Sequence, residues 1–158
     1  MQLFEFYNMI QESIEYNFKK ATIEDISIFY DSYVEYTNSF ITLIEFKNLF
    51  SLNLKDKNYQ FFIIHKKDNG STAGCVALRL YNEIFSDKVI AEISHLYILP
   101  KFRKWQAADS LYDFVESNCK EHNISKIVVA CGINSTLNQH FYTKRKFNYV
   151  KKVFLKFI

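Results

Sequence analysis

The chain has 158 residues, 49% of them hydrophobic and 23% charged, with a formal net charge of +3. That size and balance fit a single globular domain over 1–158 and exclude a disordered chain. Only 3 Gly and 1 Pro stand beside 16 Phe and 11 Tyr, which excludes collagen-like repeats, flexible linkers and glycine-rich dinucleotide or Walker-type loops.

Taken in chain order, Leu3 to Gln11 has the apolar spacing of a short helix, so residues 1–12 read as a helical extension. Ile14, Tyr16 and Phe18 alternate with polar residues and predict a strand. Thr22 with Asp25, and Thr42 with Glu45, are two helix-start signatures, because the hydroxyl and the acid three residues on can each cap a free N–H. They predict helices from Ile23 to about Tyr36 and from Thr42 to about Leu52. Tyr59 to Lys66, the turn Asp68-Asn69-Gly70 and Thr72 to Leu80 read as a hairpin. Val89 to Leu99 is a further strand, stopped by Pro100. Gln106 to Glu121 has helical spacing at Ala108, Leu111, Val115 and Cys119. Ile127 to Cys131 is a short apolar strand, Ser135 to Lys144 a helix, and Tyr149 to Phe157 a last strand. The order predicts a mixed α/β sheet, antiparallel at its start and carrying one parallel βαβ unit.

The charge is too mild to imply nucleic acid as a partner. Cys75, Cys119 and Cys131 have no metal-like spacing, so neither a metal nor a disulfide framework is expected. No apolar run approaches the roughly 20 residues that span a bilayer. Met1 to Ile10 lacks the basic start of a secretory signal. A cytoplasmic protein with no membrane partner is the expectation.

The chemistry concentrates in Glu92 to Ala108, EISHLYILPKFRKWQAA. A strand stops at a proline, a basic turn follows, and a helix begins. The first N–H groups of that helix lack backbone partners, and Arg103 and Lys104 add full charges beside them, as a phosphate-bearing ligand requires. Solvated lysines beside a capped helix are the alternative.

Here the chain resembles the GCN5-related N-acetyltransferases. Arg103-Lys104-Trp105-Gln106-Ala107-Ala108 after Leu96-Tyr97-Ile98-Leu99-Pro100 is similar to the family's cofactor signature. HFYTKRKF, from His140 to Phe147, resembles its second signature. Gly74 in TAGCVALRL and Lys20-Ala21-Thr22 with Glu24-Asp25 also match it. Gln106 and Lys146 stand where the family has Gly. The resemblance runs from about Ile14 to the end and leans to the small-amine branch, typified by aminoalkylphosphonate and aminoglycoside acetyltransferases.

The resemblance implies acetyl-CoA as cosubstrate between two splayed parallel strands. Backbone groups of Ile98 would pair with the pantetheine arm, amides of Arg103, Lys104, Trp105, Gln106, Ala107 and Ala108 would hold the pyrophosphate, and Trp105 could pack on the adenine. Asn134 is either a pantetheine contact or an ordinary helix cap. Tyr142 resembles the tyrosine that protonates the CoA sulfur. For the base, Glu92 and His95 are rivals: the carboxylate by burial in an apolar strand, the imidazole by its ordinary pKa. The expected reaction is N-acetylation of a small-molecule primary amine, with homodimer formation left open. A protein or peptide acetyltransferase and a catalytically weak CoA-binding module are the alternatives.

Overall fold

The computed structural model describes residues 15–37, 40–103, 106–130 and 136–150. Its elements in chain order are β1 (Tyr16–Lys20), a 3-10 turn (Ile23–Asp25), α1 (Ile26–Thr37) and α2 (Leu43–Lys55), then β2 (Tyr59–Lys66), β3 (Thr72–Asn82) and β4 (Val89–Ile98). A second 3-10 turn (Pro100–Phe102), α3 (Ala107–Glu121), β5 (Lys126–Val129) and α4 (Thr136–Lys144) follow. The expected extension at 1–12 lies outside the described residues, as does most of the expected last strand; its first two residues, Tyr149 and Val150, are not in a strand.

Both predicted capping boxes form. Thr22 accepts from Glu24 N–H while Asp25 takes the Thr22 N–H, and Thr42 and Glu45 cap each other in the same way. The first box opens a 3-10 turn that runs into α1. In the β2–β3 hairpin Gly70 takes a left-handed φ of 68° and donates its N–H to the Lys66 carbonyl at 2.8 Å, which is why the turn needs glycine there.

The five strands form one sheet in the order β1-β2-β3-β4-β5. The first three pairings are antiparallel, and β4 with β5 is parallel, as the βαβ reading expects. One face packs against α3 and α4 through Phe62, Ile64, Val76, Leu78, Ala91, Ile93, Leu111 and Val115. The opposite face packs against α1 and α2 through Phe29, Phe50, Ile63, Cys75 and Ala77. Phe29, Phe50 and Phe61 meet edge-on or tilted at centroid distances of 5.0 to 5.5 Å, so part of the aromatic excess builds this second core.

Candidate active site

The site begins with a fault in the β3–β4 ladder. Ala77 pairs with His95 and Leu78 with Ile93, so Ser94 is an extra residue on β4. Such a bulge resets the side-chain alternation. Before it, Ala91 and Ile93 join the α3 core; after it, Ile98 does. His95 and Tyr97 therefore turn toward α1. Glu92 lies on that same face, opposite Arg79. Strict alternation would put Glu92 and His95 on opposite faces; the bulge puts both on one.

The parallel pairing of β4 with β5 stops at Ile93↔Val129, whereas β4 runs on to Ile98 beside β3 alone. Among the described residues nothing pairs with the other edge of Leu96–Ile98. Leu99 donates its N–H to the Ala73 carbonyl of β3 at 2.9 Å. By antiparallel alternation the N–H and C=O of Ile98 face the open edge. An extended ligand could add there as a strand would. The Ile98 carbonyl presently accepts from Arg103 Nε at 3.0 Å.

On the α1 side, His95 Nε2 lies 2.7 Å from the Ser32 hydroxyl. Tyr36 meets the His95 ring edge-on at 5.9 Å, and Tyr97 stacks beside it at 6.4 Å. Burial lowers the His95 pKa below its ordinary value. The Tyr97 hydroxyl donates to Glu35, which also accepts from Arg103 Nη2 at 2.9 Å. The bond from Tyr97, then that from Arg103, holds Glu35 below the usual carboxylate range; burial and Glu35 push Tyr97 up to about 12. Arg103, expected to face a phosphate, thus turns its guanidinium back to Glu35 and the strand end. Glu92, expected to be buried in an apolar strand, keeps 28% of its side chain exposed and lies 3.9 Å from Arg79.

The turn after Pro100 delivers the chain to α3. Gln106 is the first residue of the expected helix. Instead it is the N-cap residue in the left-handed region, φ 55° and ψ 14°, and its side chain makes no cap. The helix ladder starts with Ser110 N–H to the Gln106 carbonyl at 3.0 Å. The N–H groups of Ala107, Ala108 and Asp109 consequently have no partner within the helix. Lys104, Trp105 and Asn134 lie outside the described residues.

Tyr142 is buried on α4 in the core cluster that also contains Ile98, Phe102 and Ala107. Its helix ends in a Schellman cap: Phe147 N–H reaches the Tyr142 carbonyl at 3.1 Å and Lys146 N–H the Thr143 carbonyl at 3.0 Å. Lys146 takes the left-handed position, φ 64°. The Tyr142 and Phe147 rings pack at 5.2 Å, completing the motif. Arg145 then ties the helix to the first turns of α3 through Asp109 Oδ1 (2.5 Å) and Asp113 Oδ1 (2.6 Å). Burial works against its charge, and the two carboxylates more than offset it.

The structure thus gathers Glu92 and His95 on one face, and Ile98, Ala107 and Tyr142 in one core cluster. Sequence reasoning missed Ser32, Tyr97 and Arg79, whose contacts with His95 and Glu92 join distant parts of the chain.

The sequence matches the family described as the Acetyltransferase (GNAT) family over residues 20–147. No curated protein matches the chain. Several solved structures are similar in fold. Glucosamine-6-phosphate N-acetyltransferase from Arabidopsis thaliana has a TM-score of 0.71 at 17% identity, covering 90% of this chain and 98% of its own. An aminoglycoside acetyltransferase from an uncultured soil metagenomic sample has a TM-score of 0.74 at 12% identity, covering 90% and 95%. Ribosomal-protein-alanine N-acetyltransferase from Brucella melitensis biovar Abortus 2308 has a TM-score of 0.72 at 14% identity, covering 91% and 99%. The family match runs from the last residue of β1 to the Phe147 cap of α4 and so includes every strand that shapes the open edge: the chain belongs to the GNAT family of acetyltransferases.

Proposed function

We propose that this acetyltransferase moves an acetyl group from acetyl-CoA to the primary amine of a small molecule, with His95 as the base and Tyr142 as the acid. The observation that carries the reading is the open edge of β4 beyond Ile93, with His95 turned to the α1 side of it. Acetyl-CoA supplies the activated acetyl thioester. The Ile98 edge, which pairs with no strand among the described residues, and the N–H groups of α3 that have no partner within the helix fit its extended amide arm and its pyrophosphate. For the arm to engage the Ile98 carbonyl, Arg103 Nε leaves it.

A primary amine is protonated near neutral pH and must lose a proton before it attacks. His95, kept neutral by burial, can accept that proton. Glu92 is the weaker rival, because it lies where β4 is still paired with β5 and its charge faces Arg79. Tyr142 on α4 is suited to return a proton to the departing thiolate. Enzymes named for aminoglycosides and glucosamine-6-phosphate share this fold, and so does one named for ribosomal-protein alanine, so an acceptor panel decides between the two classes.

The test is release of free CoA from acetyl-CoA with a panel of small amines and N-terminal peptides. Release with small amines supports the reading, and release with peptides alone overturns the acceptor class. His95→Gln should lower kcat by about 10²-fold with the KM for acetyl-CoA unchanged, and Glu92→Gln by much less. An unchanged kcat in His95→Gln would remove His95 as the base.

A further inference from the structure

Ser32 sits on the inner face of α1 with 0% of its surface exposed. Its hydroxyl has one proton to give and two lone pairs to fill. Three groups surround it: the Phe29 carbonyl at 2.9 Å, His95 Nε2 at 2.7 Å and Cys75 Sγ at 3.8 Å. A carbonyl can only accept, so the 2.9 Å contact with Phe29 is a hydrogen bond only when the serine proton points there. The imidazole must then supply the proton of the 2.7 Å contact, with Nε2–H donating to Ser32 Oγ. Burial raises the Cys75 thiol to about 12, so it stays protonated and donates S–H to the second lone pair. All three contacts are satisfied at once. The other neutral tautomer would set two lone pairs against each other in a buried place, at the cost of an unmade hydrogen bond.

We infer that Ser32 is a positioning residue that holds His95 in its Nε2–H tautomer and leaves Nδ1 as the atom that takes the substrate proton. The inference rests on the reading of His95 as the base. Ser32 takes the place of the carboxylate that commonly orients a catalytic imidazole. Among the described residues, Tyr36 and Tyr97 meet the His95 ring, Cys75 meets Ser32 behind it, and Glu35, Glu92 and Arg103 are the charged groups tied to β4 or its end. Glu35 is bonded to Tyr97 and Arg103, and Glu92 is paired with Arg79. Among the described residues no carboxylate bonds His95, and Ser32 is the group that does.

Long-range proton–nitrogen correlation spectra of the whole protein, labelled with nitrogen-15 at histidine and recorded near pH 7 without substrate, read the tautomer directly. His95→Gln identifies the resonances by their loss. A proton on Nε2 of a neutral ring is the expected result, and a proton on Nδ1 or a charged ring overturns the inference. In Ser32→Ala the ring should populate both tautomers, and kcat should fall by about tenfold with the KM for acetyl-CoA unchanged. Ser32→Thr keeps the hydroxyl and should restore the single tautomer. A folded Ser32→Ala protein with the wild-type tautomer pattern also overturns the inference. Because the tautomer is read in the resting protein, this outcome is separate from whether His95→Gln stops turnover.

Discussion

Gln106 and Lys146 carry side chains at two left-handed positions, φ 55° and φ 64°, each at the end of a helix that frames the open edge. A left-handed L-residue costs roughly 1–2 kcal/mol, of which glycine's extra chain entropy would return part. Gln106→Gly and Lys146→Gly should therefore each stabilise the fold by about 0.5–1 kcal/mol, seen as a higher urea midpoint at unchanged m-value. A lower midpoint would mean that the side chain, and not the backbone, decides these caps. Since burial holds the His95 pKa down, the unfolded chain binds a proton at higher pH than the folded one does. Its contribution is present above about pH 6.5 and is lost as pH falls through the folded value. The wild-type protein should lose more stability between about pH 7 and pH 5.5 than His95→Gln does. Equal losses would show that the folded ring is not held neutral. Tyr142→Phe should lower kcat and leave acetyl-CoA affinity intact, since the ring keeps its packing on Phe147; unchanged turnover would remove it as the acid.

Between elements, β3 and β4 approach closely at Gly74 of β3. A Cβ built there would lie 2.3 Å from the Tyr97 carbonyl oxygen, 2.7 Å from Ile98 Cδ1 and 3.2 Å from Ile64 Cγ2. The two nearest obstacles belong to the β4 segment that offers the open edge. Gly74→Ala should cost about 1–3 kcal/mol in chemical denaturation and weaken acetyl-CoA binding in a direct titration. Full affinity in this variant would mean that the edge at Ile98 does not hold the ligand. The same elements show what a sequence can carry. Thr22 with Asp25, Thr42 with Glu45, and Asp68-Asn69-Gly70 are local devices, so they were legible. The strand Tyr59–Lys66 forms with the predicted ends. The bulge at Ser94 was not legible, because Ile93-Ser94-His95 reads as ordinary alternation until β3 fixes the register from across the sheet.

Across the whole molecule, the mixed sheet with its one parallel βαβ unit followed from the order of local signals; the split of the helices between its two faces is set by long-range packing. The site followed only in part. Its backbone half, the strand end at Pro100 and the helix start near Gln106, is contiguous and could be read. Its side-chain half joins residues far apart: Ser32 and His95 are separated by 63 positions, Glu35 and Tyr97 by 62, and Glu35 and Arg103 by 68. No spacing rule reaches that far. In the proposed reaction acetyl-CoA binds where β4 leaves β5 beyond Ile93. Amide hydrogen exchange with and without acetyl-CoA tests it most directly. New protection is expected at Leu96–Ile98 and at Ala107–Asp109, with β1 and β2 unchanged. Saturating acetyl-CoA that leaves both of those segments unprotected would contradict it.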